Sequence, residues 1–201
     1  MQTTSITLAQ LLQLLPDATY FGVILPAAIS VQQVTSDSRG VVPGSLFVAI
    51  AGGRADGHRF AVQALTAGAA AVVGTTPPAV LVGQGLLPED APYVQVADSR
   101  RALAIAAAAL YGFPARKLHV LGVTGTDGKT TTCMLLESIL AAATRSAVSP
   151  AGRVGVVTTV GARIGGAESD TGLHVTTPDA PDVQRFLAEM VESGCRYAVM
   201  E

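Results

Sequence analysis

Short apolar runs closed by glycine and proline turns alternate with helical patterns along most of the chain. The opening stretch MQTTSITLAQLLQLLP reads as a first helix, and AAISVQQVT and GSLFVAI read as short strands separated by the polar turn SDSRGVVPG. HRFAVQALTAGAAAVVGTT carries a helical pattern into Gly68 and then a run of alanines and valines, which predicts a helix, a glycine stop and a buried strand. A further strand, PYVQVA, precedes DSRRALAIAAAALYG, a helix that Asp98 or Ser99 can cap and that Gly112 and Pro114 end. Helices alternating with short buried strands predict an α/β fold with mainly parallel pairing.

At Phe113 to Lys117 the pattern restarts. A short linker leads into LHVLGVTG, a buried strand running straight into a glycine-rich loop, and KTTTCMLLESILAAA follows as a helix. A domain boundary is therefore expected near residue 116, giving a small N-terminal α/β domain over 1–116 and the start of a P-loop, mainly parallel-sheet domain over 117–201. GRVGVVTTVGARIGG predicts strands with glycine turns, PDVQRFLAEMVESG a helix stopped at Gly194, and CRYAVME a buried strand. That second sheet is expected to be incomplete at Glu201, and no repeat of 20 to 50 residues is visible.

Composition narrows the function classes. At 201 residues and 49% hydrophobic content, the chain can bury the core of one large domain or two small ones. A net charge of −2, with no basic run interleaved with aromatics, argues against a nucleic-acid partner. The N-terminus lacks the basic flank and small-residue cleavage site of a signal peptide. Residues 60 to 88 carry no charge, but glycines and Pro77-Pro78 break every apolar run well short of the roughly 20 residues that cross a bilayer, so no membrane insertion is expected. Cys133 and Cys195 stand far apart without metal spacing, as in a reducing compartment. The expected setting is cytoplasmic and the expected state a monomer.

The chemistry concentrates in LGVTGTDGKTTTCMLLESIL, residues 121 to 140. The template G-x-x-x-x-G-K-[ST] fails here, because its first glycine would fall on Val123. Glycines at 122, 125 and 128 still allow the backbone to turn with positive φ and bring its N–H groups to a phosphate without a Cβ in the way. The helix starting near Lys129 adds its dipole at the same point. Lys129 can reach the outer phosphates and the Thr130 hydroxyl can bind Mg²⁺, so an NTP is the natural ligand. A carboxylate beside a triphosphate repels it, and Asp127 is read as facing outward. Glu201, at the carboxyl end of the last strand, either helps to hold Mg²⁺ or is a charge leaving a strand. Thr176-Thr177-Pro178-Asp179 fits a helix start with Thr177 as cap and Pro178 at the first helical position. Asp37-Ser38-Arg39-Gly40 reads as a polar turn, and His58 and His174 as surface or satisfied histidines.

Gly122 to Thr131 resembles the loop G-x-x-G-T-x-G-K-T of the Mur ligases, the ATP-dependent amide-forming enzymes of peptidoglycan synthesis, and residues 36 to 73 are similar to the N-terminal domain shared by the members of that family that add the third amino acid and the terminal dipeptide. The resemblance implies that Thr124, Gly125, Thr126, Asp127, Gly128, Lys129, Thr130 and Thr131 bind ATP, that Lys129 and Thr130 serve catalysis, and that Thr130 and Glu201 hold Mg²⁺. It further implies a uridine site at Ser38 with Gly53, Arg54, Ala55 and Asp56, and contacts of Thr176 and Thr177 with the UDP-muramoyl substrate. VGVVTTVGARIGG and HVTTPDAPDVQRFLAEMVESGCRYAVME favour the member that adds the third amino acid, joining a diamino acid to UDP-N-acetylmuramoyl-dipeptide through an acyl phosphate. The alternatives are a UDP-muramoyl-binding remnant without catalysis and the member that adds the terminal D-alanyl-D-alanine dipeptide. By the same resemblance the metal-bridging carbamylated lysine and the domain that selects the amino acid are expected after Glu201, and these 201 residues alone are expected to be inactive.

Overall fold

The computed structural model describes residues 5–52, 56–147, 149, 152–169 and 178–201. The chain divides into two compact units, Met1–Gly112 and Phe113–Glu201. Both residues at the junction have positive φ, +66° at Gly112 and +54° at Phe113. This left-handed turn is what stops the preceding helix.

In the first unit β1 (Ile6–Thr7) leads into α1 (Leu8–Leu12), where Thr7 and Gln10 form a reciprocal capping box. The elements that follow are β2 (Thr19–Phe21), β3 (Ser30–Val31), β4 (Gln33–Thr35), β5 (Ser45–Val48), α2 (Ala61–Thr66), β6 (Ala71–Gly74), α3 (Pro78–Gly83), β7 (Tyr93–Gln95) and α4 (Ser99–Leu110). The main sheet has the order β2-β7-β6-β5-β4, parallel throughout except for the β2/β7 edge pair. Every residue of β5 and β6 is buried, as expected for strands covered on both faces. One core cluster joins Phe47, Val72 and Tyr93 of the sheet to Ala61 and Ala64 of α2 and Leu81 of α3. The α4 helix packs on β4, β5 and β6 through its small apolar face, and Asp98 caps it by accepting from the N–H groups of Arg100 and Arg101 at 2.9 and 3.0 Å. The pair Pro77-Pro78, which breaks the apolar pattern in the sequence, is also where α3 begins, since proline is tolerated in the first turn of a helix.

The second unit runs β8 (His119–Gly122), α5 (Lys129–Thr144), β9 (Val154–Thr158), β10 (Gly161–Ile164), β11 (Ala167–Ser169), α6 (Ala180–Glu192) and β12 (Tyr197–Met200). Its sheet has the order β11-β10-β9-β12-β8. Strands β8, β12 and β9 are parallel, whereas β9, β10 and β11 form an antiparallel meander, so parallel pairing is confined to the half that carries the loop. Alternation along the strands sorts the core: Val154, Val156 and Val199 pack with Cys133 of α5, and Val157 and Ala198 pack with Phe186, Leu187 and Met190 of α6. A Cβ on Gly155 would lie 2.6 Å from the Met190 side chain, so this strand admits α6 only as closely as a glycine allows. Both cysteines are free and buried, and burial pushes both thiols up. The start of α6 differs from the sequence expectation: Asp179 occupies the N-cap position and Pro181 lies in the first turn, so Pro178 precedes the helix.

Candidate functional site

Strand β8, expected to be buried, is instead the edge strand of its sheet with His119, Val120 and Gly122 exposed; it pairs in parallel with β12, and the Val123 N–H continues that pairing by donating to the Met200 carbonyl at 2.8 Å. The chain then turns through Gly125 (φ +149°) and Gly128 (φ +74°), both conformations that L side chains rarely adopt. Gly128 is the N-cap of α5, and its carbonyl accepts the Thr132 N–H at 2.9 Å. The N–H groups of the first turn thus lack intrahelical acceptors and, with the dipole of a 16-residue helix, face the loop. No atom lies within 4 Å of a Cβ built on Gly122 or Gly128. The result is an open cavity of about 630 Å³ lined by Gly122, Val123, Thr124, Gly125, Lys129, Met200 and Glu201.

Two charged groups meet at this cavity. The Lys129 Nζ folds back over the loop and donates to the carbonyls of Gly125 at 2.9 Å and Thr126 at 3.3 Å. The Thr130 hydroxyl donates to Glu201 Oε2 at 2.8 Å, joining positions 71 residues apart. Thr159, in the turn after β9, donates its hydroxyl to Glu201 Oε1 at 2.9 Å and its N–H to Oε2 at 3.3 Å. Partial burial raises the Glu201 pKa, but the bonds from Thr130 and Thr159 and the charge of Lys129 outweigh it and hold the carboxyl below its ordinary range. Thr124, Thr126, Asp127 and Thr131 are exposed. Sequence reasoning missed Thr159, since a second threonine at a strand end carries no spacing signal.

In the first unit Ser38 begins a turn after the carboxyl end of β4, and Asp56 begins one after the neighbouring parallel strand β5. Asp37 caps the Ser38 turn by accepting the Arg39 N–H at 3.0 Å and binds the Arg39 guanidinium at 2.9 and 2.8 Å. Those bonds hold the Asp37 carboxyl below its usual range. Asp56 accepts from the His58 N–H at 3.0 Å and lies 2.6 Å from His58 Nδ1. Nε2 of this buried ring accepts the Thr75 N–H at 3.1 Å and lies 3.4 Å from the Thr76 nitrogen, so its proton sits on Nδ1. Tyr93 donates to the Thr76 carbonyl at 2.7 Å, and burial pushes its hydroxyl far up. His58 is thus a satisfied core histidine. Gly53, Arg54, Ala55, His174, Thr176 and Thr177 lie outside the described residues.

Comparison with known families places both halves. The description "Mur ligase family, catalytic domain" matches residues 30–111, and "Mur ligase middle domain" matches residues 123–201. The chain belongs to the Mur ligase family. Among relatives of this Mur ligase chain, UDP-N-acetylmuramoyl-L-alanyl-D-glutamate–2,6-diaminopimelate ligase of Chlorobium phaeobacteroides is 43% identical over 174 residues, 87% of this chain and 31% of that protein. UDP-N-acetylmuramyl-tripeptide synthetase of Deinococcus radiodurans is 45% identical over 169 residues, 84% of this chain and 32% of that protein. The chain therefore spans about a third of the length of the curated relatives it matches. A solved UDP-N-acetylmuramoyl-L-alanyl-D-glutamate–2,6-diaminopimelate ligase superposes with a TM-score of 0.66 at 20% identity, over 97% of this chain and 35% of that one. The UDP-N-acetylmuramoylalanyl-D-glutamyl-2,6-diaminopimelate–D-alanyl-D-alanyl ligase of Acinetobacter baumannii gives 0.61 at 24%, over 100% and 37%. These two likenesses establish the Mur ligase fold.

Proposed function

We propose that this Mur ligase chain supplies the UDP-substrate-binding and nucleotide-binding parts of a cytoplasmic, monomeric ligase that joins a diamino acid to UDP-N-acetylmuramoyl-dipeptide at the expense of ATP. The observation that carries the reading is the convergence at one strand-loop-helix junction of a glycine cradle, Lys129, and the Thr130–Glu201 pair. Relatives above 40% identity that are named for the third-residue ligation favour it over the ligase that adds the terminal dipeptide.

The donor set fits Mg²⁺. Among the described residues no group of three His, Cys, Asp or Glu side chains could hold a metal by itself. The site offers one hydroxyl, of Thr130 on α5, and one carboxylate, of Glu201 after β12, hard oxygen donors of the kind that hold Mg²⁺ together with phosphates and water. When bound, Mg²⁺ would neutralise charge on the transferring phosphoryl group. In this reading Lys129 exchanges the Gly125 and Thr126 carbonyls for phosphate oxygens, and the first-turn N–H groups of α5 orient the same oxygens without reorganising. Ser38, Gly53, Arg54, Ala55 and Asp56 then hold the uridine end, and Thr176 and Thr177 the muramoyl end. An oxygen of the substrate carboxylate attacks the γ-phosphorus as ADP leaves, and the amine nitrogen next attacks the acyl carbon as phosphate leaves. The test is ADP release by the full-length protein. It should require both UDP-N-acetylmuramoyl-dipeptide and a diamino acid, and release that ignores either substrate would refute the assignment.

A further inference from the structure

The Glu201 carboxylate is gripped at both oxygens, and one residue does most of the gripping. Thr130 reaches only Oε2, at 2.8 Å, which leaves the carboxylate free to rotate about its last torsion. Thr159 closes that freedom, with its hydroxyl on Oε1 at 2.9 Å and its N–H on Oε2 at 3.3 Å. The clamp is built on fixed parts. The Glu201 N–H donates to the Val157 carbonyl at 2.9 Å, which sets the end of β12 against β9. Thr158, beside it and buried, donates its hydroxyl to the Gly161 carbonyl at 3.2 Å and pins the turn that carries Thr159.

We propose that Thr159 is a positioning residue, whose hydroxyl and amide orient the Glu201 carboxylate toward the cavity lined by Lys129 so that its remaining lone pairs face the cation of a bound nucleotide. This rests on reading the loop as a Mg²⁺-nucleotide site. A hydroxyl that ligates a cation can keep its hydrogen on a carboxylate, so Thr130 serves both, but it fixes only one carboxylate oxygen. The second oxygen depends on Thr159, and partners of this kind commonly alter metal affinity 10- to 100-fold when removed.

The experiment uses the full-length protein with Mn²⁺ as the probe, free Mn²⁺ being followed by electron paramagnetic resonance in the presence of a non-hydrolysable ATP analogue. Thr159→Val should weaken Mn²⁺ retention about tenfold or more, and Thr159→Ser should bring it back to within about threefold of wild type. UMP affinity and melting temperature should not move in either variant, which separates positioning from a merely structural role. A Thr159→Val protein that retains Mn²⁺ within about threefold of wild type overturns the assignment of Thr159 alone. So does a Thr159→Ser protein as weak as the valine variant. Wild-type protein that retains no Mn²⁺ with the analogue overturns the nucleotide reading, and the role of Thr159 falls with it.

Discussion

The two units each carry a polar constellation at the carboxyl ends of parallel strands, and the two are built to opposite ends. Around His58 the ring itself is closed in: half-exposed Asp56 on one nitrogen, the Thr75 amide on the other, and Tyr93 on the Thr76 carbonyl, so that of this cluster only Asp56 can also face a ligand. His58 and Tyr93 are 1% and 0% exposed, and a Cβ at Gly74 would lie 2.6 Å from the Tyr93 hydroxyl, so nothing further fits between them. Around Glu201 the hydrogen bonds are as numerous, but they open on a cavity, where Lys129 donates to the carbonyls of Gly125 and Thr126 in its own glycine loop. A polar cluster supports a fold when packing makes its partners irreplaceable. It binds when a ligand can take their place.

The largest effect expected from this contrast is on the open side. Lys129→Ala in the full-length protein should lower ligation by about 10²- to 10³-fold while leaving UDP-substrate affinity and unfolding midpoint unchanged. Retention of near wild-type turnover would place the essential charge elsewhere. On the closed side, His58→Ala strips the Thr75 amide of its acceptor and leaves a cavity, which should cost about 3 kcal/mol in denaturant unfolding. ATP affinity should be untouched. An ATP defect at full stability would reverse the comparison.

Acid should act next. Burial alone would raise the Asp56 carboxyl, but the hydrogen bonds from the His58 ring and amide outweigh it and hold the folded-state pKa below the ordinary 3.8. A carboxyl depressed in the folded state contributes stability above its unfolded pKa and loses that contribution as pH falls through the folded value. Asp56→Asn should therefore narrow its stability gap to wild type only in the acid range below 3.8, and a gap that stays constant there would show that Asp56 acts through packing. The smallest effect belongs to Asp127→Asn, an exposed loop position where ATP binding should shift by no more than about 0.5 kcal/mol. A large gain in affinity would mean that the carboxylate faces the phosphates.

Local signals were the legible ones. The glycines at 122, 125 and 128 lie between an apolar run and a helical run, so loop, strand and helix all follow from neighbouring residues. Asp98 before SRRALAIAAAAL marks a helix start for the same reason. The features that were not legible depend on distant pairing. Thr159 acquires its partner only because β12 inserts between β8 and β9. His58 finds the Thr75 amide 17 residues away, across the β5/β6 pair, and no spacing in the sequence encodes that. The helix at Pro78 was hidden by a dipeptide that more often marks a loop, and α6 starts later than Pro178 suggests, with Asp179 at its N-cap position and Pro181 in its first turn.

The bond between Thr130 and Glu201 also bears on how the second unit comes into being. Its two ends are 71 residues apart, and β12, which delivers Glu201, must slot between strands made much earlier in the sequence. Closing so long a loop is a slow, entropically costly event in chain collapse, whereas the glycine turn and the first turns of α5 form from neighbours. A partly folded chain would thus possess the loop without its carboxylate, and a ligand that needs both would bind only after β12 is seated between β8 and β9. On the proposed nucleotide reading, capture then reports that β12 is in place, and a ligand that holds Thr130 and Glu201 together slows that strand's escape.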